Sequence, residues 1–351
     1  MKAIINAAVL IERNIRQHTV DGYTGQHMVA SAHEATIRTL CDELNVLAGR
    51  GQTLPGGCAH VEMTLGNATV LVEFEIQPSV IQVNYQLSYH QAELILANQH
   101  TEEVRAFEPV FAMMAQLDAL SHAVKEQRRQ RGAFELNLPE KIFELMLLAN
   151  QTVATHLQSL EIPAVYRVHP TPDPDDVQEL IKLAVSMGIE LKLEQEDVVH
   201  AQDYQNFTHK FAESDSERVL TYLLLSTLKP AFYSTTPKSH FGLALEQGYT
   251  HFTSPVRRYP DLLVHRALHA LFEEGRDRRS TRAKESVNLR HSSAHGQVTW
   301  NVLPPEIQQE LESHFSGVVV HLSEREKLAQ DAENDLEGLK KAELMKERTG
   351  E

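Results

Sequence analysis

The chain is short of cysteine, of positive charge and of long apolar runs, and each shortage excludes something. Its two cysteines, Cys41 and Cys58, form no disulfide framework and match neither a CxxC pair nor a Cys/His zinc spacing. A reducing cytosol follows as the expected setting, hence a cytoplasmic protein. No apolar stretch approaches the ~18 residues of a membrane-spanning helix, so no membrane partner is expected. The N-terminal "MKAIINAAVLIERNIRQ" lacks a small-residue cleavage site and continues as charged amphipathic sequence, so export is not expected either. The motifs GxxxxGK[ST], HExxH and GxSxG are absent, which removes three common phosphate, zinc and serine-nucleophile chemistries. Lys and Arg number 33 against 48 Asp and Glu, a formal net charge of -15. A polyanion cannot be held by the bulk field of such a protein, so any nucleic-acid site must be a local basic channel.

What is present is enough for a real core: 351 residues, 42% of them hydrophobic, as one large domain or two. In "SAHEATIRTLCDELNVLAG", Ser31 and Glu34 form a capping box and Ile37, Leu40, Leu44 and Leu47 recur at helical spacing up to Gly49. The period then changes. Val61, Met63 and Leu65 alternate with polar residues, Gly66-Asn67 offers a turn, and Val70, Val72, Phe74 and Ile76 alternate again, which predicts a hairpin with one buried face. Ser88 and Gln91 make a second capping box, and a long helical region follows to Arg128, Arg129 and Arg131, where the charges suit a helix C-terminus. "KIFELMLLANQTVATHLQSL" reads as a buried helix, "DPDDVQELIKLAVSMGIEL" as a helix opened by acids, and a helical pair lies between Asp203 and Leu228. "EEGRDRRSTRAKESVNLRHSSAHGQ" reads as a flexible loop or linker, and "SEREKLAQDAENDLEGLKKAELMKERTGE" as an acidic helical tail. Nineteen histidines are scattered and fit surface or core positions better than metal sites.

The segment "HFGLALEQGYTHFTSPVRRYPDLLVHRAL", from His240 to Leu268, is unlike a plain amphipathic helix. Ser254 and Pro255 fit an N-cap and first helical position, whose free N–H groups and dipole attract anions. Arg257 and Arg258 follow at once, and arginine grips phosphate bidentately. Tyr249, Phe252 and Tyr259 flank them as faces on which bases can stack, while Leu262, Leu263, Ala267 and Leu271 carry the buried side. Two readings stand side by side: a phosphate-gripping floor for single-stranded nucleic acid, or a buried aromatic cluster with arginines satisfied by carboxylates such as Asp261.

This segment closely resembles the signature of the RNase II / RNase R family of processive 3'-to-5' exoribonucleases, the RNB catalytic domain. Five further segments agree in order: "QPSVIQVNYQLSYHQAELIL", "RRQRGAFELNLPE", "ELMLLANQTVATHL", "PAVYRVHPTPDPDDVQEL" and the acidic tail. The resemblance covers roughly residues 61–351 and leaves 1–60 as an unassigned, largely helical segment. It implies an α+β fold with a mixed, largely antiparallel sheet surrounded by helices. It implies single-stranded RNA as partner, hydrolysis to nucleoside 5'-monophosphates, and Mg2+ as cofactor. By position, Arg257 is the implied catalytic residue, contacting the scissile phosphate. Arg258, Tyr259, Tyr249, Phe252, Ser254, His265 and Arg266 shape or adjoin the pocket. Glu333 in "QDAENDL", Tyr89 in "LSYHQA" and Glu144 ahead of "MLLAN" complete the implied RNA-binding set.

The departures matter as much. The family's metal is held by D-x5-D-x-D-D early in the domain, and no such run is found. Asp173, Asp175 and Asp176 imitate its end, but Arg167 stands where its first aspartate is required, so these acids read as helix N-terminal charges. Phe143 replaces the first of two family glutamates, and Leu136 an aromatic. The barrels that usually flank the domain are missing. Two functional classes follow. In the enzymatic one, the metal cluster comes from a partner polypeptide that supplies missing segments, or from acids such as Asp42 and Glu43. In the other, the chain is an inactive RNA-binding pseudo-nuclease. A third reading, a protein-protein module, rests on the acidic tail.

Overall fold

The structure, a computed structural model, describes residues 56–65, 70–81, 85, 87–134, 143–195, 197–255, 258–280 and 282–346. The Ser31/Glu34 box, the Gly66-Asn67 turn, Leu136 and Arg257 lie outside the described residues, as do the side chains of Tyr89 and Phe143.

The first two elements are the expected hairpin: β1 (Gly56–Leu65) pairs antiparallel with β2 (Leu71–Ile81), Met63 opposite Phe74 and Val61 opposite Ile76. Phe74 and Ile76 are buried, and Ala59, Val61 and Met63 pack partly against the same core. The buried face does not extend to Val70 and Val72, which are 51% and 63% exposed. The register explains this correction. Thr64 faces Glu73 but Leu65 faces Leu71, so a bulge falls at Val72. A one-residue slip reverses the faces of a strand, and Leu71 packs against the core instead.

Helices dominate the rest. The chain runs through α1 (Tyr89–Leu96), a 3-10 turn at Arg105–Val110, α2 (Phe111–Gln130) and α3 (Phe143–Ser159). It continues through β3 (Tyr166–Val168), α4 (Pro174–Ser186), α5 (Ala201–Ala212), α6 (Glu217–Ser226), β4 (Phe232–Ser234), α7 (Tyr259–Glu274) and α8 (Pro305–Lys346). The Ser88/Gln91 capping box opens α1 as expected. Asp173 caps α4 by accepting from the Asp175 N–H at 3.2 Å, with Pro174 in the first turn, so these acids stabilise a helix start. Among the described residues the sheets are two antiparallel pairs, β1-β2 and β3-β4. The fold is thus α+β but helix-rich, and the larger mixed sheet is not present there. Period-two alternation is confined to the hairpin, while the remaining apolar pattern has helical spacing.

Two cores divide the apolar residues. One joins the hairpin, Val153, Ala154 and Leu157 of α3, most of α7, and Leu311, Phe315, Val319 and Leu322 of α8. The other is built from α4, α5 and α6 around Tyr204, Phe207, Phe211 and Leu224. Each fully buried large side chain contributes about 1.5–3 kcal/mol before entropy is set against it.

The Arg-rich segment after α7 is anchored at both ends, which corrects its reading as a linker. Gly275 ends the helix where a Cβ would sit 2.2 Å from the Leu271 carbonyl oxygen. The Arg276 N–H donates to the Val302 carbonyl at 2.8 Å, and the Ile76 N–H to the Arg290 carbonyl at 2.8 Å. Leu289 and Ala294 are core residues. Sparse apolar content hid this, because a few anchors suffice to order an irregular segment.

Buried histidines knit the pieces together. His156 on α3 donates from Nε2 to the Leu289 carbonyl at 2.9 Å, so its Nδ1 accepts from Nε2 of His295 at 2.9 Å. Burial first, then the neighbouring His295, push the His156 pKa down to about 3. His240 falls to about 3 and His265 to about 4, again chiefly through burial. All three are neutral in the fold, whereas the unfolded chain binds protons near pH 6.5. Stability is therefore fully present above about pH 6.5 and is lost as pH falls from there towards 3, by up to about 1.4 kcal/mol per pH unit for each histidine. Denaturant unfolding at pH 7.5, 6 and 5 checks this, and a flat profile would contradict three buried neutral imidazoles.

Candidate nucleic-acid interface

Two buried polar side chains shape the signature segment. Asn150 interrupts the apolar face of α3 and is 3% exposed. Its amide nitrogen donates to the Tyr249 hydroxyl at 2.9 Å, and its carbonyl oxygen accepts from the N–H groups of Phe252 (2.9 Å) and Thr253 (3.2 Å). One side chain thus fixes the path of residues 249–253. Further along, fully buried Asp261 in the first turn of α7 accepts through Oδ1 from the Ser254 N–H at 2.7 Å and from the Arg258 guanidinium at 2.9 Å. The Arg258 N–H closes the same loop onto the Ser254 carbonyl at 3.0 Å. Both ends of the loop that carries Arg257 in the sequence are therefore locked from the protein side.

The helix does not start at Ser254 as the Ser-Pro step suggested. It starts at Tyr259, with Arg258 as N-cap and Pro260 in the first turn. A helix begun at Pro255 would place Pro260 in its interior, where it lacks a donor and clashes with the preceding turn. The stacking platform is corrected too. Tyr249, Phe252 and Tyr259 are 3%, 5% and 5% exposed, so their rings belong to the core. Phe252 stacks on the buried His265, centroids 4.6 Å apart at 11°, while His265 Nε2 donates to the Phe252 carbonyl at 3.1 Å. Burial raises the Tyr249 pKa to about 12, so its hydroxyl is neutral and acts as an acceptor for Asn150.

The other expected residues lie apart from this loop. Arg266 pairs with Glu310 of α8 at 2.8 Å. Glu333 is half-buried on α8. Tyr89 begins α1. Glu144 is 5% exposed and accepts a bidentate pair from Arg128 at 2.7 and 2.9 Å. Arg128 is thus a buried ion-pair partner, beyond the helix-terminal charge expected of it. Asn150 was missed by the sequence reading, although a carboxamide inside "MLLANQTVATHL" was a signal that something must satisfy it.

The family resemblance implies a divalent metal, and the acids that could hold one are otherwise engaged. Arg167, at the position of the first required aspartate, pairs with Glu326 and lies over the Tyr233 ring at 4.7 Å. Asp173 is committed to capping α4. Among the described residues no three His, Cys, Asp or Glu side chains converge on one point. The described residues do not fit the metal, and no chemical step is derived through it.

Asn150→Ala should lower stability by about 3 kcal/mol, because two amide N–H groups and a tyrosine hydroxyl lose their buried partner. Urea unfolding beside Asn150→Asp checks this. Asp cannot donate to Tyr249 but keeps an acceptor for both amides, so it should fall between Ala and the parent.

The family model described as the RNB domain matches residues 55–274. The acetazolamide conferring resistance protein zam of Synechocystis sp. is 35% identical over 314 residues, 82% of this chain and 40% of that protein. Ribonuclease R 1 of Lactococcus lactis is 29% identical over 305 residues, 80% of this chain and 34% of that protein. Among solved structures, Mycoplasma genitalium RNase R in complex with ribose methylated single-stranded RNA superposes with a TM-score of 0.68 at 23% identity. It covers 85% of this chain and 46% of that one. This chain spans less than half the length of each of these relatives. With the family model covering residues 55–274, the chain belongs to the RNB domain family of ribonuclease II and ribonuclease R proteins.

Proposed function

We propose that this chain binds single-stranded RNA at the loop between Ser254 and Arg258, with Arg257 contacting the phosphates and Arg258 held by Asp261 as a positioning residue. The observation that carries this is Asp261. A fully buried carboxylate engages both the Ser254 N–H and the Arg258 guanidinium, which holds the two residues that bracket Arg257 in the sequence. Preorganised guanidinium charge is what a phosphodiester needs, in the ground state and as charge develops during cleavage.

For the whole protein to which such a domain belongs, 3'-to-5' exoribonucleolysis with Mg2+ is the family activity and the natural proposal. For this chain the second reading, RNA binding without cleavage, has its own support. The run that imitates the end of the aspartate cluster is otherwise engaged: Asp173 caps a helix, and Arg167, where that imitation would need its first aspartate, is paired with Glu326. A partner polypeptide supplying carboxylates would reconcile the two.

Purified chain with a 5'-labelled single-stranded RNA, in Mg2+ or Mn2+ and with chelator, separates these readings. The expected outcome is salt-sensitive binding with the RNA left intact. A metal-dependent ladder shortening from the 3' end would establish catalysis instead. Arg257→Ala should weaken binding about tenfold or more, the worth of one charge-assisted contact, without a change in melting temperature. Loss of stability in place of affinity would make Arg257 structural.

A further inference from the structure

The segment that follows α7 carries positive charge which the RNB site does not use. From Arg276 to Lys284 it holds five Lys or Arg against one Asp, in a chain of formal net charge -15. The residues matched to the RNB family end at 274, just before it. Arg276, Arg278, Arg279, Arg282 and Lys284 are all exposed. Among the described residues Arg278 has only a 3.7 Å surface pair with Asp277, worth little in water. Among the described residues Arg279, Arg282 and Lys284 have no ion partner.

The base of this loop is fixed while its charges face solvent. The Arg276 N–H donates to the Val302 carbonyl and the Val287 N–H to the Asp277 carbonyl, both at 2.8 Å. Trp300, the only tryptophan in the chain, donates from Nε1 to the Arg276 carbonyl at 2.9 Å. Four guanidiniums and an ammonium within nine residues of sequence repel one another at close approach, and a ligand of several negative charges relieves that repulsion.

We propose that Arg276, Arg278, Arg279, Arg282 and Lys284 form a second RNA-binding site, a sequence-independent grip on consecutive phosphates of the strand whose other part lies at the Ser254–Arg258 loop. The two loci sit at opposite ends of the 16-residue helix α7, about 24 Å apart at its rise per residue. Everything between and around them belongs to a strongly acidic protein, so the backbone is attracted at these two places and discouraged elsewhere. Flexible arginines on an irregular loop suit a flexible polyanion, and their planar forks match phosphate oxygens. This inference rests on RNA being the ligand of the first site.

Its test uses the full chain and a 16-nucleotide oligouridylate, with Trp300 fluorescence as the local reporter and filter binding as the global one. For the parent, titration should change Trp300 emission. The triple variant Arg278→Gln, Arg279→Gln, Arg282→Gln should keep its melting temperature and bind about tenfold more weakly at 0.1 M salt. Its salt slope should be shallower by about 2, three contacts at ~0.7 each for single strands. Arg257→Ala should weaken binding yet preserve the Trp300 response. If the triple variant binds with unchanged affinity and slope while Arg257→Ala does not, the second site is refuted and the first stands. If the parent binds no RNA, the reading of the first site fails and this one with it. Displacement of the RNA by polyglutamate at equal charge concentration would assign the loop to an acidic protein partner and overturn the proposal.

Discussion

The carboxylate of Asp261 is the group on which the candidate site turns. Its burial is complete, and an ionised carboxylate removed from water needs donors close at hand. It finds the Ser254 N–H seven residues back and the Arg258 guanidinium three residues back, both on Oδ1. Ser254 and Arg258, the residues that bracket Arg257 in the sequence, are thereby held at the start of α7. Losing either donor would leave a buried carboxylate less well compensated.

Asn150 extends the same logic across the fold. It sits on α3, about a hundred residues from its partners, and converts helix packing into the position of the irregular run 249–253. Arg128 and Glu144 tie α2 to α3 by a second buried polar link. His156 and His295 tie α3 to the segment after α7 by a third. Each is satisfied, so the interior tolerates polar groups that would be destabilising alone. They also make the fold specific, because apolar side chains accept many neighbours while these accept one arrangement.

Electrostatics divide the molecule in a way the mean charge conceals. A protein of -15 has no general attraction for RNA, yet it concentrates arginine at the two ends of one helix. At the N-terminal end the charge is preorganised by Asp261. At the C-terminal end it is displayed on an anchored loop with few counter-ions. The first arrangement suits a contact that must be accurate, the second one that need only be strong and forgiving.

Sequence alone determined the local features whose cause is local. The Ser88/Gln91 box, the Asp173 cap, the hairpin and the helices of apolar period all formed where side-chain chemistry within a few residues required them, and the signature run identified the family. Tertiary structure decided which way the signature aromatics face, where α7 begins, and how the hairpin's face reverses at Val72. Periodicity cannot report these. The rings of Tyr249 and Phe252 are buried by Asn150 and His265, and the bulge is set by pairing across the strands. In each case the deciding partner is a hydrogen bond or contact supplied from elsewhere in the chain, and a pattern read along neighbours carries no record of it.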